Sequence, residues 1–191
     1  TDAGRELCVY AEEMLGIERK IREHFGLRGK EKRVLRIAAS TIPSQYLLPR
    51  IMERYQEKYP GEQLRVMETD SAGAVEQIIS RRADLGFTGT QLERKECVYL
   101  PFYQDALNIV ASMENQETIK RSVRNGMGIS ILSRLAAEDE INSGRLLAFP
   151  LGSRGGKRSI NVVYEKNSPL SREAEKFIGT VKEMFIDNIY K

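Results

Sequence analysis

The feature that most constrains the fold of this 191-residue chain is a strand pattern that runs directly into a helix start. Apolar side chains alternate over residues 35–39, which is the period of a strand. Ser40 and Thr41 follow, and Pro43 suits the first turn of a helix whose apolar residues continue at helical spacing. The sequence therefore predicts a strand that ends at a hydroxyl-rich turn, where a helix begins.

The same arrangement occurs again further along the chain. Residues 63–68 alternate like a strand, and Asp70 or Ser71 is a natural N-cap for the helix that follows. Residues 85–90 then read as a short buried strand that ends in glycine and threonine. This β-α-β-α-β order predicts parallel strands with right-handed crossovers. It brings three polar turns to one edge of the sheet, at Ser40, Ser71 and Thr88.

Two interpretations of the first turn remain open. The backbone N–H groups at a helix start have no partner inside the helix, and the helix dipole there favours an anion. Open α/β sheets also bind ligands at the carboxyl ends of their strands, which favours a ligand site. The alternative is that Ser40 or Thr41 is only an N-cap.

Residues 1–25 predict one long helix with a narrow apolar seam. Apolar residues recur at alternating steps of four and three, as in a heptad repeat, and charged residues lie off the seam. A narrow seam favours pairing with a second copy, although Gly16 weakens the helix. The alternative is a surface helix that lies on its own domain. The predicted dimerisation residues are Leu7, Tyr10, Met14, Ile17 and Ile21.

Composition excludes several classes of protein. A net charge of +3 is too small to predict nucleic-acid binding by this segment, because acidic residues nearly balance the basic ones. Cys8 and Cys97 form no disulfide framework, and with His24 as the one histidine no metal site is expected. No apolar run is long enough to span a membrane, no leader is present, and a reducing compartment is expected. The chain lacks an initiator Met, so we expect it to be a fragment of a longer polypeptide.

No catalytic constellation is visible in the sequence. One histidine, on the first helix, excludes a Ser/His or Cys/His pair in the globular part. The glycine-rich turn at residues 152–157 fails the spacing of a phosphate-binding P-loop, and Arg158 stands where a hydroxyl is required. We therefore expect neither an enzyme nor a cofactor.

The remaining segments predict further alternating elements. Residues 97–111 predict two strands that are separated by a break at Pro101. Residues 113–125 predict a helix, and residues 126–132 predict a glycine turn into a buried strand. Ser133 and Ser171 are the predicted N-caps of two later helices.

Five segments carry family motifs in a fixed order. They are Thr1–Arg5 (similar to "LTxAG"), Leu35–Thr41 with Leu48–Pro49, Ala83–Gly86 ("LDLGI"), Ile119–Leu132 ("IKxxVxxGxGIxxLP") and Glu140–Leu146 ("EExxGRL"). Together they resemble the LysR-type bacterial transcriptional regulators along essentially the whole chain. The resemblance implies an α/β fold: a two-lobed, periplasmic-binding-protein-like (type II) effector domain preceded by a long dimerisation helix. The implied boundaries are 1–25 for the linker helix, 26–34 for a hinge and 35–191 for the effector domain, with lobe I at about 35–100 and 160–191 and lobe II at about 111–150.

The resemblance also implies a mechanism and partners. A small-molecule effector, an anion or carboxylate, would bind between the lobes and shift the arrangement of a homodimer or homotetramer. The full-length protein would bind operator DNA through a winged helix, and would be cytoplasmic. The opening Ala-Ser-Thr-Ile-Pro is similar to family members linked to sulfur or selenium metabolism, which suggests a sulfur oxyanion. The implied effector-binding residues are Ser40, Thr41, Ser44, Ser71, Thr88, Gly128 and Ile129.

Two departures from the family pattern stand out. Apart from its last residues the winged helix is absent, so this chain by itself should not read DNA. The family has several more elements where this chain passes directly from Ser112 to Met113. We expect residues to be missing there rather than naturally lost, since a natural loss would remove one wall of the cleft.

Two other functions fit the same fold. An extracytoplasmic solute-binding protein of a transporter shares the two lobes, although the heptad helix argues against it. A small enzyme has only the analogy of fold in its favour.

Overall fold

A computed structural model describes residues 1–25, 34–110, 120–121, 123–125, 129–151 and 156–186. The chain divides into two compact units: unit 1 is Thr1–Phe102 with Asn161–Lys191, and unit 2 is Tyr103–Ile160. The helices are α1 (Asp2–His24), α2 (Leu48–Lys58), α3 (Ser71–Ile79), α4 (Arg134–Asn142) and α5 (Arg172–Phe185). The strands are β1 (Val34–Ser40), β2 (Gln63–Thr69), β3 (Leu85–Thr88), β4 (Cys97–Val110), β5 (Ser130–Ser133) and β6 (Lys157–Glu165).

The sheet of unit 1 has the strand order β2-β1-β3-β6. Strand β1 is parallel to β2 and to β3, as the β-α-β-α-β pattern predicts, and β6 returns antiparallel to β3. In this register Ser40 lies beside Thr69, and Thr88 lies beside Asn161. The carboxyl ends of the parallel strands therefore meet at one edge.

Helices cover both faces of this sheet. On one face, α3 packs Ala74, Val75 and Ile78 against Ala38 and Val163. The other face holds an aromatic cluster, in which Tyr55, Phe87 and Phe177 are fully buried. The Phe177 ring centroid lies 5.0 Å from that of Tyr55 and 6.0 Å from that of Phe87. Burial of such large rings makes this cluster a main source of stability for unit 1.

The predicted N-cap positions of α3, α4 and α5 are confirmed, but a side-chain cap bond forms only at α3 and α5. The Asp70 carboxylate accepts a hydrogen bond from the Gly73 N–H at 2.6 Å, and the Ser171 hydroxyl accepts one from the Ala174 N–H at 3.2 Å. Ser133 precedes α4 but makes no side-chain cap bond. Its hydroxyl instead donates to Asp105, 2.8 Å away, because that carboxylate is buried and needs donors.

Asp105 is the centre of a buried polar cluster in unit 2. Its second carboxylate oxygen accepts a hydrogen bond from Arg158 Nε at 2.9 Å. Strands β4 and β5 pair antiparallel in this unit, and α4 buries Ala136 and Ala137. These two hydrogen bonds stabilise the Asp105 carboxylate, which is buried in unit 2.

One sequence expectation about strands needs correction. Residues 97–110 form one continuous strand, β4, so the predicted break at Pro101 is wrong. Proline keeps the backbone extended and removes only one donor, which a strand tolerates where that donor has no ladder partner. Most of the predicted helix at 113–125, the turn at 126–128 and the hinge up to residue 33 lie outside the described residues.

Within the described ranges, no helix is long and apolar enough to cross a membrane. The same ranges contain no group of three or more His, Cys, Asp and Glu side chains that could hold a metal ion.

Candidate functional site

Polar side chains line the carboxyl edge of the unit 1 sheet. Ser40 ends β1, Thr88 ends β3, and Asn161 of β6 pairs with Thr88. All three are buried. Paired residues on neighbouring strands point to the same face, so the register forms one polar row across three strands.

The hydroxyl of Ser40 bridges to β3 instead of capping a helix. It donates to the Phe87 carbonyl oxygen at 3.4 Å and accepts from the Gly89 N–H at 3.3 Å. The interpretation of Ser40 as a simple N-cap is therefore wrong. Its hydroxyl holds the ends of β1 and β3 together, because both strands end at the same level.

Thr88 carries the most informative polar atom of the site. The side chain is fully buried, and no described group forms a hydrogen bond with Thr88 Oγ1. An unpaired buried hydroxyl costs about 1–3 kcal/mol. A ligand or a water molecule that bonds to this hydroxyl would remove the cost.

No side-chain cap bond is described near the start of the helix that follows β1. Helical residues run from Thr41 to Lys58, with a π-helical turn at Pro43–Leu47. Ile42, which precedes that turn, forms no side-chain cap bond. Thr41 and Ser44 are half-buried at this helix start. The backbone N–H groups and the dipole at a helix start favour an anion or a carboxylate.

The start of α3 is less available to a ligand. Ser71 is half-buried, but the Asp70 carboxylate already occupies the Gly73 N–H. A Cβ at Gly73 would clash with Thr69 Oγ1, so a larger residue here requires Thr69 to move. The negative charge of Asp70 directs an anion to the other helix start.

The structure describes six of the seven predicted effector residues. Ser40, Thr41, Ser44, Ser71 and Thr88 all belong to unit 1, at or next to the carboxyl ends of its strands. Ile129 belongs to unit 2 and is 77% exposed. Gly128 lies outside the described residues.

Asn161 is a candidate site residue that the sequence reasoning missed. It is buried at the Thr88 pairing position of β6. The residue comes about seventy positions after Thr88, and only the antiparallel return of β6 brings the two together. The signal in the sequence is a single polar residue among the apolar positions Ile160, Val162 and Val163.

Helix α1 turns its apolar seam away from the rest of unit 1. The five predicted dimerisation residues are 43–71% exposed, the least exposed being Ile17 and the most exposed Met14. Gly16, on the opposite side of the helix, is buried. An exposed apolar stripe of this length is unusual for a surface helix that packs on its own domain.

A family model described as "LysR substrate binding domain" matches residues 28–116 and 106–186 of this chain. The chain belongs to this family. The resemblance to LysR-type regulators is thereby confirmed, and the chain is the effector-binding part of a LysR-family transcriptional regulator.

Two curated relatives that align with most of this chain are named as transcriptional regulators. The chain is 23% identical over 218 residues to the uncharacterized HTH-type transcriptional regulator YeiE of Escherichia coli K12, covering 87% of this chain and 71% of that protein. It is 24% identical over 229 residues to the RuBisCO operon transcriptional regulator of Allochromatium vinosum, covering 93% and 75%. These LysR relatives are regulators and not enzymes, as expected for this chain.

Solved LysR structures share the fold. The Synechocystis PCC6803 CcmR regulatory domain, in complex with 2-PG, gives a TM-score of 0.70 at 19% identity, covering 81% of this chain and 98% of that one. Full-length OxyR C199D from Pseudomonas aeruginosa gives 0.73 at 14% identity, covering 95% and 78%. The predicted fold class, a two-lobed type II periplasmic-binding-like α/β domain, is confirmed.

Both alignments contain positions that this chain lacks. The YeiE match runs over 218 positions, although 87% of 191 residues is only about 166. The Allochromatium match runs over 229, against about 178 residues of this chain (93% of 191). A segment missing between Ser112 and Met113 stays a prediction, because the residues on both sides lie outside the described ranges.

Proposed function

We propose that this chain senses a small anion or carboxylate at the carboxyl edge of the unit 1 sheet, and that α1 joins it to a second copy. Ser40, Thr41, Ser44, Ser71 and Thr88 of unit 1 bind the effector. The site supplies hydroxyl groups, an amide and backbone N–H groups, which suit an acceptor-rich ligand.

The observation that carries this proposal is the buried hydroxyl of Thr88, which has no described partner. It lies in the same polar row as Ser40, and the uncapped helix start follows directly at Thr41. The CcmR domain and the QuiR effector-binding domain, described in complex with 2-PG and with shikimate, support a small-molecule ligand. A sulfur oxyanion remains one member of the class that the site could take.

The effector acts by shifting populations. A ligand that binds one arrangement of the regulator more tightly than another moves the equilibrium toward it. The paired α1 helices of a homodimer or homotetramer carry that preference to operator DNA, which the winged helix of the full-length protein binds. The exposed seam of α1 supports this assembly, since its apolar side chains have no described cover.

A thermal-shift screen of the purified chain tests the site. The panel contains sulfate, sulfite, thiosulfate and dicarboxylates, each up to a hundred times its apparent Kd. A bound effector stabilises the folded state by about 2.7 kcal/mol under that condition, or roughly 5–10 °C in melting temperature. The anion that raises the melting temperature is then tested on Thr88→Val and on Ser40→Ala/Thr41→Ala.

Thr88→Val is expected to keep or raise the stability of the free protein but to abolish its stabilisation by the ligand. It therefore distinguishes a binding defect from a folding defect. Without ligand the variant should be as stable as wild type or more stable, since it removes an unpaired buried hydroxyl. With ligand, its melting temperature should not rise. Thr180→Val is the matched control, because that buried hydroxyl bonds to the Lys176 carbonyl oxygen in α5, outside the polar row. A Thr88→Val protein that responds to the anion like wild type would contradict the proposed site.

A further inference from the structure

The hydroxyl group of Ser40 has already used its one proton. Its oxygen lies 3.4 Å from the Phe87 carbonyl oxygen, which carries no hydrogen, so Ser40 is the donor in this bond. The same Ser40 oxygen accepts a hydrogen bond from the Gly89 N–H at 3.3 Å. A hydroxyl group has one donor hydrogen and two acceptor lone pairs. Ser40 can therefore offer a ligand one lone pair and no donor.

That lone pair distinguishes between ligand groups. A carboxylate or sulfate oxygen is an acceptor without a hydrogen. It could bond to Ser40 only if Ser40 turned its proton away from Phe87 and lost the hydrogen bond that joins β1 to β3. A ligand group that carries its own hydrogen, such as a hydroxyl, bonds to the Ser40 oxygen without that loss.

Thr88 can bond to the same ligand. Its Oγ1 is buried, and no described group forms a hydrogen bond with it. Strands β1 and β3 are parallel with Ala39 beside Phe87, so Ser40 and Thr88 come next at the same level of the sheet. A hydroxyl such as that of Thr88 can donate to one ligand oxygen and accept from another. The two residues thus combine one position that only accepts with one that does both.

The helix start that follows Ser40 suits the anionic part of the ligand. Thr41 is the next residue, and no side-chain cap bond is described near the start of its helix. The backbone N–H groups of a helix start favour an anion. Because the acceptor at Ser40 and these donors come from consecutive residues, the ligand needs its hydroxyl close to its carboxylate. A hydroxyl on the carbon next to the carboxylate meets that need.

An amino group at that carbon is less suitable than a hydroxyl. An ammonium group carries a full charge, which needs a charged partner when it is buried. The described residues of the polar row, Ser40, Thr88 and Asn161, are all neutral. Asp70, at the end of β2, is exposed and already accepts a hydrogen bond from the Gly73 N–H. The polar row therefore favours a neutral hydroxyl.

We propose that the effector is a 2-hydroxy acid, which donates a hydrogen bond from its hydroxyl to Ser40 and places its carboxylate at the helix start that follows. That assignment rests on the proposed function, in which Ser40 contacts the effector. It narrows the ligand from any small anion to one that carries its own hydrogen-bond donor. Ser40 then has two tasks, since its proton joins β1 to β3 and its lone pair selects the ligand.

Matched sets of ligands test the proposal on the wild-type chain. Thermal-shift titrations compare glycolate with acetate and glycine, lactate with propionate and alanine, and malate with succinate and aspartate, with sulfate alongside. The hydroxy acid that binds most tightly should bind at least about tenfold more tightly than its two partners, because a site that bonds a hydroxyl rejects analogues that lack it. The dissociation constants follow from the dependence of the melting temperature on ligand concentration.

Ser40→Ala tests which atom recognises the hydroxyl. It should weaken binding of the best hydroxy acid about tenfold and leave its deoxy partner unchanged, so that the two bind alike. The measurement is a ratio of two affinities, which a general loss of stability does not change. Ser80→Ala is the matched control, because that buried serine also donates to a carbonyl oxygen, of Glu76, and accepts from Arg82 Nε. Ser80 follows α3, away from the polar row, and its variant should keep the preference.

The outcomes separate the ligand class from the site. Sulfate, a deoxy acid or an amino acid that binds the wild-type chain as tightly as the best hydroxy acid would overturn the proposal, as would a panel in which no hydroxy acid binds. If such a competing ligand loses its effect in Thr88→Val, the proposed site is correct and only the ligand class is wrong. If Thr88→Val leaves the response unchanged, the site itself is wrong.

Discussion

Replacing Phe177 with alanine is expected to lower the free energy of unfolding by about 3–5 kcal/mol, the usual cost of deleting a fully buried aromatic ring. Phe177 has no exposed surface, and its ring lies between those of Tyr55 and Phe87. These three residues come from α2, β3 and α5, so the cavity would open where both helices pack on the sheet. Urea denaturation followed by circular dichroism measures the change.

Phe149→Ala is the matched control for this experiment. It makes the same chemical change at a ring that is 65% exposed, and a surface substitution of this kind usually costs less than about 0.5 kcal/mol. Equal costs for the two variants would mean that the aromatic cluster does not stabilise unit 1 as described.

Placing glutamates on the α1 seam is expected to weaken the proposed self-association of the chain strongly. Met14→Glu/Ile17→Glu puts charges at the centre of the exposed apolar stripe. Each buried side chain of this kind contributes about 1.5–3 kcal/mol, so the loss of two per helix should raise the dissociation constant at least about a hundredfold. Sedimentation equilibrium over a range of concentrations measures the constant directly.

Leu15→Glu provides the control on the same helix. Leu15 is 66% exposed, but it lies off the heptad seam. The variant should associate like wild type if a narrow seam forms the interface. If Leu15→Glu dissociates the assembly and the seam variant does not, the helices pair through a different face.

Patterns that act over short distances predicted most of the fold. Strands β1, β2 and β3, helix α3 and the caps at Asp70 and Ser171 follow from alternation and from polar residues at helix starts. The predictions failed where a distant residue changes the local preference. Ser133 turns to the buried Asp105, and β4 continues through Pro101, neither of which a window of neighbouring residues reveals.

Local patterns also predicted part of the candidate site, but not all of it. Ser40 and Thr88 follow directly from strands that end in hydroxyl residues, because parallel strands place those ends together. Asn161 was not predictable, since its place depends on the antiparallel pairing of β6 with β3. Gly16 was read only as a weak point of the helix, because its contact with Arg81 joins residues that are far apart in sequence.

The chemical composition of the polar row has a consequence for what such a sensor can report. Ser40, Thr88 and Asn161 offer hydroxyl and amide groups, which keep the same protonation state throughout the physiological pH range. The protein's share of the binding energy should therefore stay constant from about pH 5 to 9, a range in which no hydroxyl or amide titrates. In a regulator with this site, any pH dependence of binding would come from titration of the effector and not from these three residues.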